Sequence, residues 1–276
     1  MLVTRPLMRY HGGKWRLAPW IMSHFPAHRA YVEPYAGAGS IFFRKPRSFH
    51  EVVNDLNGDM VNVYRVLRDP ASAEQLRAAL EFTPFAREEF NASFGPDFAK
   101  VVNPIERARL TLLRSMAGFG SAGFRPDYST GFRGKSRRSH TTPAHDWNSW
   151  KKVVPSFTER LAGCVIENMK ALDLIEKYDD AETLFYIDPP YLPSTRSSMK
   201  STGRYVHEMT EKDHRRLAKL LRSLKGSVIL SGYHSELYST IFRDWRRVER
   251  EALADGARKR VEVLWFNFSP AVEKPA

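Results

Sequence analysis

The chain has 276 residues, of which 42% are hydrophobic, and this is enough for one large domain with a smaller insertion. Its 43 lysines and arginines outnumber 31 aspartates and glutamates, so the net charge of +12 points to a polyanionic partner such as nucleic acid, or otherwise to a merely basic protein. The chain has one cysteine, which excludes an internal disulfide and a zinc cluster of several thiolates. It lacks the apolar run of ~20 residues needed to span a bilayer, and this predicts a cytoplasmic protein with no membrane partner.

The first motif in chain order is residues 9–14, with the sequence RYHGGK. Its two glycines permit close backbone approach, and Lys14 could pair with a carboxylate. A solvated basic turn is the alternative interpretation. The motif is not a phosphate-binding P-loop, because Met8 stands where that loop requires glycine and Trp15 replaces its serine or threonine.

The next segment predicts the start of an α/β core. Residues 30–34 (AYVEP) form a buried strand, and Gly37-Ala38-Gly39 opens residues 40–44, where a helix can start. A second strand fits residues 51–54, and residues 59–67 carry apolar side chains at helical spacing. This alternation of strand and helix is typical of a parallel sheet.

Asp55 ends that second strand, and an acid at this position can bind ribose hydroxyls while the glycine turn admits a ligand. A cofactor that contains a nucleoside is therefore indicated. The third glycine of the dinucleotide fingerprint is absent, because position 42 is Phe42, and this favours S-adenosylmethionine over NAD. An ordinary glycine turn beside a surface aspartate is the alternative.

The middle of the chain, residues 69–170, is predicted to be an inserted and mostly helical region. Pro104 starts a helix over residues 104–117, and residues 118–147 are rich in glycine, serine, arginine and aromatic residues. Basic side chains can hold phosphates, while arginine and aromatic side chains can probe bases. An exposed basic loop without base contacts is the alternative. The predicted DNA contacts are Arg125, Tyr128, Arg133, Lys135, Arg137 and Arg138.

The back of the chain returns to the α/β pattern. Residues 184–187 (LFYI) predict a buried strand, Thr210 is a good N-cap for the next helix, residues 225–226 stop that helix, and residues 227–231 form another strand. Two final strands, residues 246–251 and 260–268, are predicted to form an antiparallel hairpin that turns at residues 254–256.

The strongest motif is Asp188-Pro189-Pro190-Tyr191, which follows a predicted buried strand. Asp188 can accept the amino hydrogens of a base, and the two prolines stiffen a turn that presents the carbonyl of Pro189 as a further acceptor. Tyr191 can stack on a base that has left the double helix. A plain turn with a capping aspartate is the alternative interpretation.

With these motifs in this order, the chain resembles the Dam-like family of DNA adenine-N6 methyltransferases. The resemblance covers nearly the whole chain, although the family usually has tryptophan at Tyr10 and phenylalanine at Tyr35. It implies a Rossmann-like methyltransferase sheet with a C-terminal β-hairpin, in which residues 1–68 and 171–276 form the catalytic domain and residues 69–170 form the target-recognition domain. The landmarks are residues 10–14, 32–43, 54–57, 188–196, 205–214 and 230–238.

The resemblance also assigns roles to the motifs. Asp188, Pro189 and Tyr191 would be catalytic, and methyl transfer would be direct and without a metal. The S-adenosylmethionine site would be formed by Tyr10, Lys14, Glu33, Pro34, Gly37, Asp55 and Asp188.

Double-stranded DNA is the expected partner, a restriction endonuclease is compatible with the resemblance, and a monomer is the default expectation. The alternatives are an RNA or N4-cytosine methyltransferase and a catalytically silent DNA-binding module.

Overall fold

One β-sheet forms the centre of the protein. The computed structural model describes residues 2–119, 126–127, 129, 131–135, 141–195, 205–254 and 258–269. Its strands are β1 (Ala30–Glu33), β2 (His50–Asn54), β3 (Val165–Glu167), β4 (Thr183–Ile187), β5 (Ser227–Tyr233), β6 (Arg246–Ala254) and β7 (Arg258–Phe266). Within the described residues, these seven strands join in the order β3-β2-β1-β4-β5-β7-β6. The protein therefore has a mixed α/β architecture, consistent with a methyltransferase fold.

Helices precede, follow and connect the strands. They are α1 (Ala18–Met22), α2 (Gly58–Arg68), α3 (Pro70–Glu81), α4 (Arg87–Ala92), α5 (Gly95–Ala99), α6 (Pro104–Ala117), α7 (Pro143–Trp150), α8 (Val154–Leu161), α9 (Ala171–Lys177), α10 (Glu211–Leu221) and α11 (Glu236–Ile241). None of the helices in the described part of the chain is long and apolar enough to cross a bilayer.

The strand order creates a site for a ligand between β1 and β4. β1 pairs in parallel with β2 on one side and with β4 on the other, and β4 pairs in parallel with β5. The chain therefore leaves β1 towards one edge of the sheet and leaves β4 towards the other. In open α/β sheets, ligands bind outside the carboxyl ends of the strands at such a reversal. β7 then pairs antiparallel with both β5 and β6.

Alternate side chains of the strands fill two cores, one on each face of the sheet. Leu184 and Tyr186 of β4 pack with α2, α3, α6 and α8 on one face, while Phe185 and Ile187 pack with α9 and α10 on the other. This is the two-residue periodicity of a strand that is covered on both faces. The uncharged run at residues 184–187 therefore has a simple cause, because each of its side chains is buried.

Several local predictions agree with the structure. α6 begins at Pro104, and α10 begins with a capping box in which Thr210 and Asp213 exchange hydrogen bonds. α10 ends at Leu221, before the predicted stop at residues 225–226. Most of the predicted hairpin turn, at residues 255–256, lies outside the described residues.

The helix predicted to start in residues 40–44 is a series of turns instead. Gly37 and Gly39 have φ angles of +50° and +63°, in the left-handed region that interrupts a right-handed helix. The segment is held by short-range bonds such as the one that the Phe43 N–H donates to the carbonyl of Gly39. The prediction was wrong because the glycines set the backbone more strongly than the apolar residues after them.

A buried ionic cluster fastens α8 to the sheet. The Arg160 guanidinium donates to both carboxylate oxygens of Glu51 on β2, at 2.6 and 2.9 Å, and to the carbonyl of Phe42 at 2.7 Å. Lys45 donates to the same carboxylate at 2.6 Å. Burial of Glu51 acts to raise its pKa, but the bonds from Arg160 and Lys45 outweigh that effect and leave the pKa below its usual value.

We expect Glu51→Ala to lower the free energy of unfolding by roughly 3–5 kcal/mol, because two buried cations lose their shared partner. In the unchanged protein, the contribution of Glu51 is present above its unfolded pKa of about 4.3 and is lost as the pH falls through the lower folded pKa. Urea unfolding at pH 7 and at pH 3.5 measures both effects. Glu74→Ala, which removes an exposed partner of Arg77, is the control and should change little. Equal stability of the Glu51 and Glu74 variants would contradict this account.

Candidate active site

A cavity of about 400 Å³ lies at the carboxyl ends of β1 and β4, where the strand order reverses. Asp188 follows β4 directly and lines the cavity, as does Pro190, whereas Pro189 and Tyr191 are not in its wall. All the residues predicted to bind the cofactor line this cavity, namely Tyr10, Lys14, Glu33, Pro34, Gly37, Asp55 and Asp188. Three distant parts of the chain are thus brought to one place.

The turn at Gly37 forms one wall and leaves no room for a side chain. The Gly37 N–H donates to Asp55 Oδ2 at 2.8 Å, and the Gly37 carbonyl accepts from the Tyr64 hydroxyl at 2.6 Å. A Cβ atom at position 37 would lie 2.5 Å from Cε1 of Tyr10. The ring of Tyr10 therefore packs directly on the backbone of the glycine turn.

Asp55 supports that turn from the end of β2. Its Oδ2 accepts from Gly37, and its Oδ1 accepts from the N–H of Asn57 at 2.8 Å. Burial raises the pKa of Asp55, and the bonds from these backbone N–H groups oppose the rise. Because a carboxylate can accept about four hydrogen bonds, Asp55 retains capacity for hydroxyl donors from the cavity.

Glu33 is a buried acid at the end of β1. It accepts from the Tyr31 hydroxyl at 2.7 Å and from the Phe42 N–H at 3.1 Å. Burial raises the pKa of Glu33 to about 8, although the bond from Tyr31 opposes the rise. The carboxyl group that meets the cavity therefore keeps its proton to a higher pH than an exposed glutamate does.

Asp188 and Lys14 form a buried ion pair at the cavity wall. Lys14 Nζ lies 2.9 Å from Asp188 Oδ2 and donates to the Gly12 carbonyl at 2.7 Å. Burial raises the pKa of Asp188, and Lys14 opposes the rise. Burial acts to lower the pKa of Lys14, but Asp188 and Glu262 prevail and raise it, so the lysine stays charged. The carboxylate that pairs with Lys14 is thus that of Asp188, a residue of the protein itself.

Tyr191 lies behind this ion pair. Its hydroxyl donates to Glu262, and its ring meets the ring of Tyr233 edge to face with centroids 4.6 Å apart. The Lys14 ammonium lies 4.8 Å from the centroid of the Tyr191 ring. Tyr191 is therefore buried and held on several sides.

Two residues at the site were missed by the sequence predictions. Glu262, on β7, is buried and touches Tyr191, and Tyr205 covers Gly12, where a Cβ atom would lie 2.7 Å from the tyrosine hydroxyl. No local pattern marked Glu262, because its importance comes from the pairing of β7 with β5. The order of the family landmarks included Tyr205 but assigned it no contact.

The predicted DNA contacts are described only in part. Arg133 is half-buried, and its guanidinium donates to the Met116 carbonyl at 3.2 Å, whereas Lys135 is exposed. The end of α6 is tied to the cavity wall, because Ser115 donates to the carbonyl of Arg9 at 2.6 Å. The other four predicted contacts lie outside the described residues; they are Arg125, Tyr128, Arg137 and Arg138.

Known proteins resemble the chain along most of its length. The DNA adenine methylase of Escherichia coli (strain K12) is 25% identical over 292 residues, covering 100% of this chain and 99% of the relative. The type II methyltransferase M1.LlaDCHI of Lactococcus lactis subsp. cremoris is 26% identical, covering 96% of this chain and 95% of the relative. The type II methyltransferase M.MjaIII of Methanocaldococcus jannaschii is 22% identical, covering 87% of this chain and 88% of the relative.

A sequence model of one family matches residues 10–255, which include the cavity residues from Tyr10 to Asp188 and Tyr191 behind them. The match spans both the glycine turn at Gly37 and the Asp-Pro-Pro-Tyr turn, the two features that meet at the carboxyl edge of the sheet. The chain therefore belongs to the D12 class of N6 adenine-specific DNA methyltransferases.

Proposed function

We propose that the protein transfers a methyl group from S-adenosylmethionine to the N6 atom of an adenine rotated out of duplex DNA. The observation that supports this best is that Asp188 shares one cavity with Gly37 and Asp55 at the reversal of strand order. Membership of the family favours adenine in DNA as the substrate over RNA and over N4 of cytosine. It also favours an enzyme over a catalytically silent DNA-binding module. Methyl-transfer assays on duplex DNA and on RNA, with the modified base identified, test the proposal.

The cavity fits the proposed cofactor in size and in chemistry. Its volume of about 400 Å³ lies within the ~300–1,000 Å³ typical of ligand sites. Asp55 retains acceptor capacity for ribose hydroxyls, and the ring of Tyr10 lines the cavity where it packs on the backbone of Gly37. When bound, S-adenosylmethionine supplies an electrophilic methyl group on a sulfonium.

The acceptor amine is positioned by the Asp188 turn. Its carboxylate accepts a hydrogen bond from the adenine amino group, which keeps the nitrogen lone pair directed away from the ring and towards the methyl group. Lys14, 2.9 Å away, favours the ionised, accepting form of that carboxylate. In this proposal the carbonyl of Pro189 accepts the second amino hydrogen, and Tyr191, which is buried behind the cavity wall, fixes the position of the turn that meets the base.

Residues 69–170 carry the target-recognition function in this proposal, and residues 1–68 and 171–276 carry the chemistry. β3 is the exception within residues 69–170, because it pairs with β2 in the central sheet and belongs structurally with the catalytic part. The tie between Ser115 and Arg9 supports close coupling of the two parts, because Arg9 precedes the cavity residue Tyr10. Arg125, Tyr128, Arg133, Lys135, Arg137 and Arg138 are the proposed DNA contacts. Each phosphate contact would steepen the salt dependence of DNA binding by roughly one unit of slope.

We expect Asp188→Ala to abolish measurable methyl transfer, a fall of at least roughly a hundredfold, because the main acceptor for the amino group is lost. The fold should persist, although the thermal unfolding temperature should fall, because the variant leaves the buried ammonium of Lys14 without its partner. Asp173→Ala, at an exposed position on α9, is the matched control and should keep full activity. Near-normal methylation by the Asp188 variant would refute the assigned role.

We expect Gly37→Ala to weaken the binding of S-adenosylmethionine at least roughly tenfold by titration calorimetry, because the new Cβ displaces the ring of Tyr10. Gly163→Ala is the matched control, since Gly163 also has a left-handed φ of +77° but its Cβ would meet nothing within 4 Å. Both variants carry similar backbone strain of about 1–2 kcal/mol. If both bind the cofactor equally well, Gly37 does not shape its site.

A further inference from the structure

Glu262 is a buried acid that reaches the site from the antiparallel strand β7. It pairs in register with Tyr233 of β5, and 3% of its surface is exposed. Its Oε1 accepts from the Ser231 hydroxyl at 2.6 Å and from the Tyr191 hydroxyl, and it lies 3.9 Å from Lys14 Nζ. The carboxyl group of Glu262 thus links Tyr191 in the Asp-Pro-Pro-Tyr turn, Ser231 on β5 and Lys14.

A carboxylate in this position is costly for the fold. Burial raises the pKa of Glu262, with Lys14 opposing the rise, and a well-packed apolar residue commonly stabilises a core as much as a buried ion pair does. Stability alone therefore does not explain an acid here. What the acid provides is an acceptor for Tyr191 and a second carboxyl group near Lys14, 3.9 Å from its ammonium.

We propose that Glu262 is a positioning residue for methyl transfer, which fixes the ring of Tyr191 through its hydroxyl and holds Lys14 beside Asp188. This inference rests on the proposed roles of Tyr191 and Asp188. Lys14 lies between the two carboxylates, 2.9 Å from Asp188 and 3.9 Å from Glu262. Glu262 therefore limits the movement of both groups without lining the cavity itself.

The geometry around Tyr191 explains why its hydroxyl needs an anchor. The rings of Tyr191 and Tyr233 meet edge to face, and the ammonium of Lys14 lies 4.8 Å from the centroid of the Tyr191 ring. These contacts constrain the ring, and the hydrogen bond to Glu262 holds its hydroxyl. A ring held in one place keeps the Asp-Pro-Pro-Tyr turn in one position for every base that arrives, and this preorganisation lowers the barrier rather than strengthening binding.

The test is a double-mutant cycle with Glu262→Gln and Tyr191→Phe, measured by kcat and KM for duplex DNA and for S-adenosylmethionine. Each single variant should lower kcat roughly tenfold while both KM values stay within about twofold. The kcat of the double variant should be no lower than that of the less active single variant, because both changes remove the same shared interaction. Glu249→Gln, an exposed glutamate on β6, is the matched control and should keep the unchanged kcat.

Unchanged kcat in Glu262→Gln, or losses that multiply in the double variant, would overturn the inference. Thermal unfolding of each variant identifies a merely structural effect, which would lower the unfolding temperature without this coupling. If Glu262→Gln does not fold, Ser231→Ala removes a donor to the same carboxylate oxygen and should lower kcat about threefold, with unchanged kcat as the contradicting result. If the unchanged protein does not methylate adenine, the proposed function fails, whereas an active protein with no effect at Glu262 refutes only this inference.

Discussion

The structure depends on keeping two opposite charges, Lys14 and Asp188, buried together at the carboxyl edge of the sheet. Their atoms lie 2.9 Å apart, and both side chains are largely buried. Removal of charges from water is costly, so the pair persists only with further partners. The Gly12 carbonyl and Glu262 provide these for Lys14, and the rigid proline turn provides a fixed position for Asp188.

The rest of the fold keeps this edge in place. Parallel pairing of β1 with β4 brings Glu33 and Asp188 to the same end of the sheet, and β2 brings Asp55 to the glycine turn. The ion pair of Arg160 with Glu51 fastens α8 to the opposite half of β2. Arg160 also donates to the carbonyl of Phe42, in the series of turns that follows Gly37. The helices and the cavity wall are thus linked by a few buried polar contacts inside a largely apolar core.

The parts of the site that could be predicted from sequence are those with local causes. Asp188 was found because an uncharged strand ends at an Asp-Pro-Pro turn, and Gly37 was found because its turn follows another strand. Glu262 was missed, because only strand pairing places it beside Tyr191. Residues 40–44 were predicted as a helix start but form turns, because the sequence does not show that Gly37 and Gly39 before them adopt left-handed backbone angles.

The most direct test of the central claim is a crystal structure of the protein with S-adenosylhomocysteine and duplex DNA that contains its target adenine. We expect the adenine amino nitrogen to lie within about 3.2 Å of an Asp188 carboxylate oxygen, with Lys14 still paired to that carboxylate. An adenine bound with its amino group remote from Asp188, or an Asp188 side chain turned out of the cavity, would contradict the account.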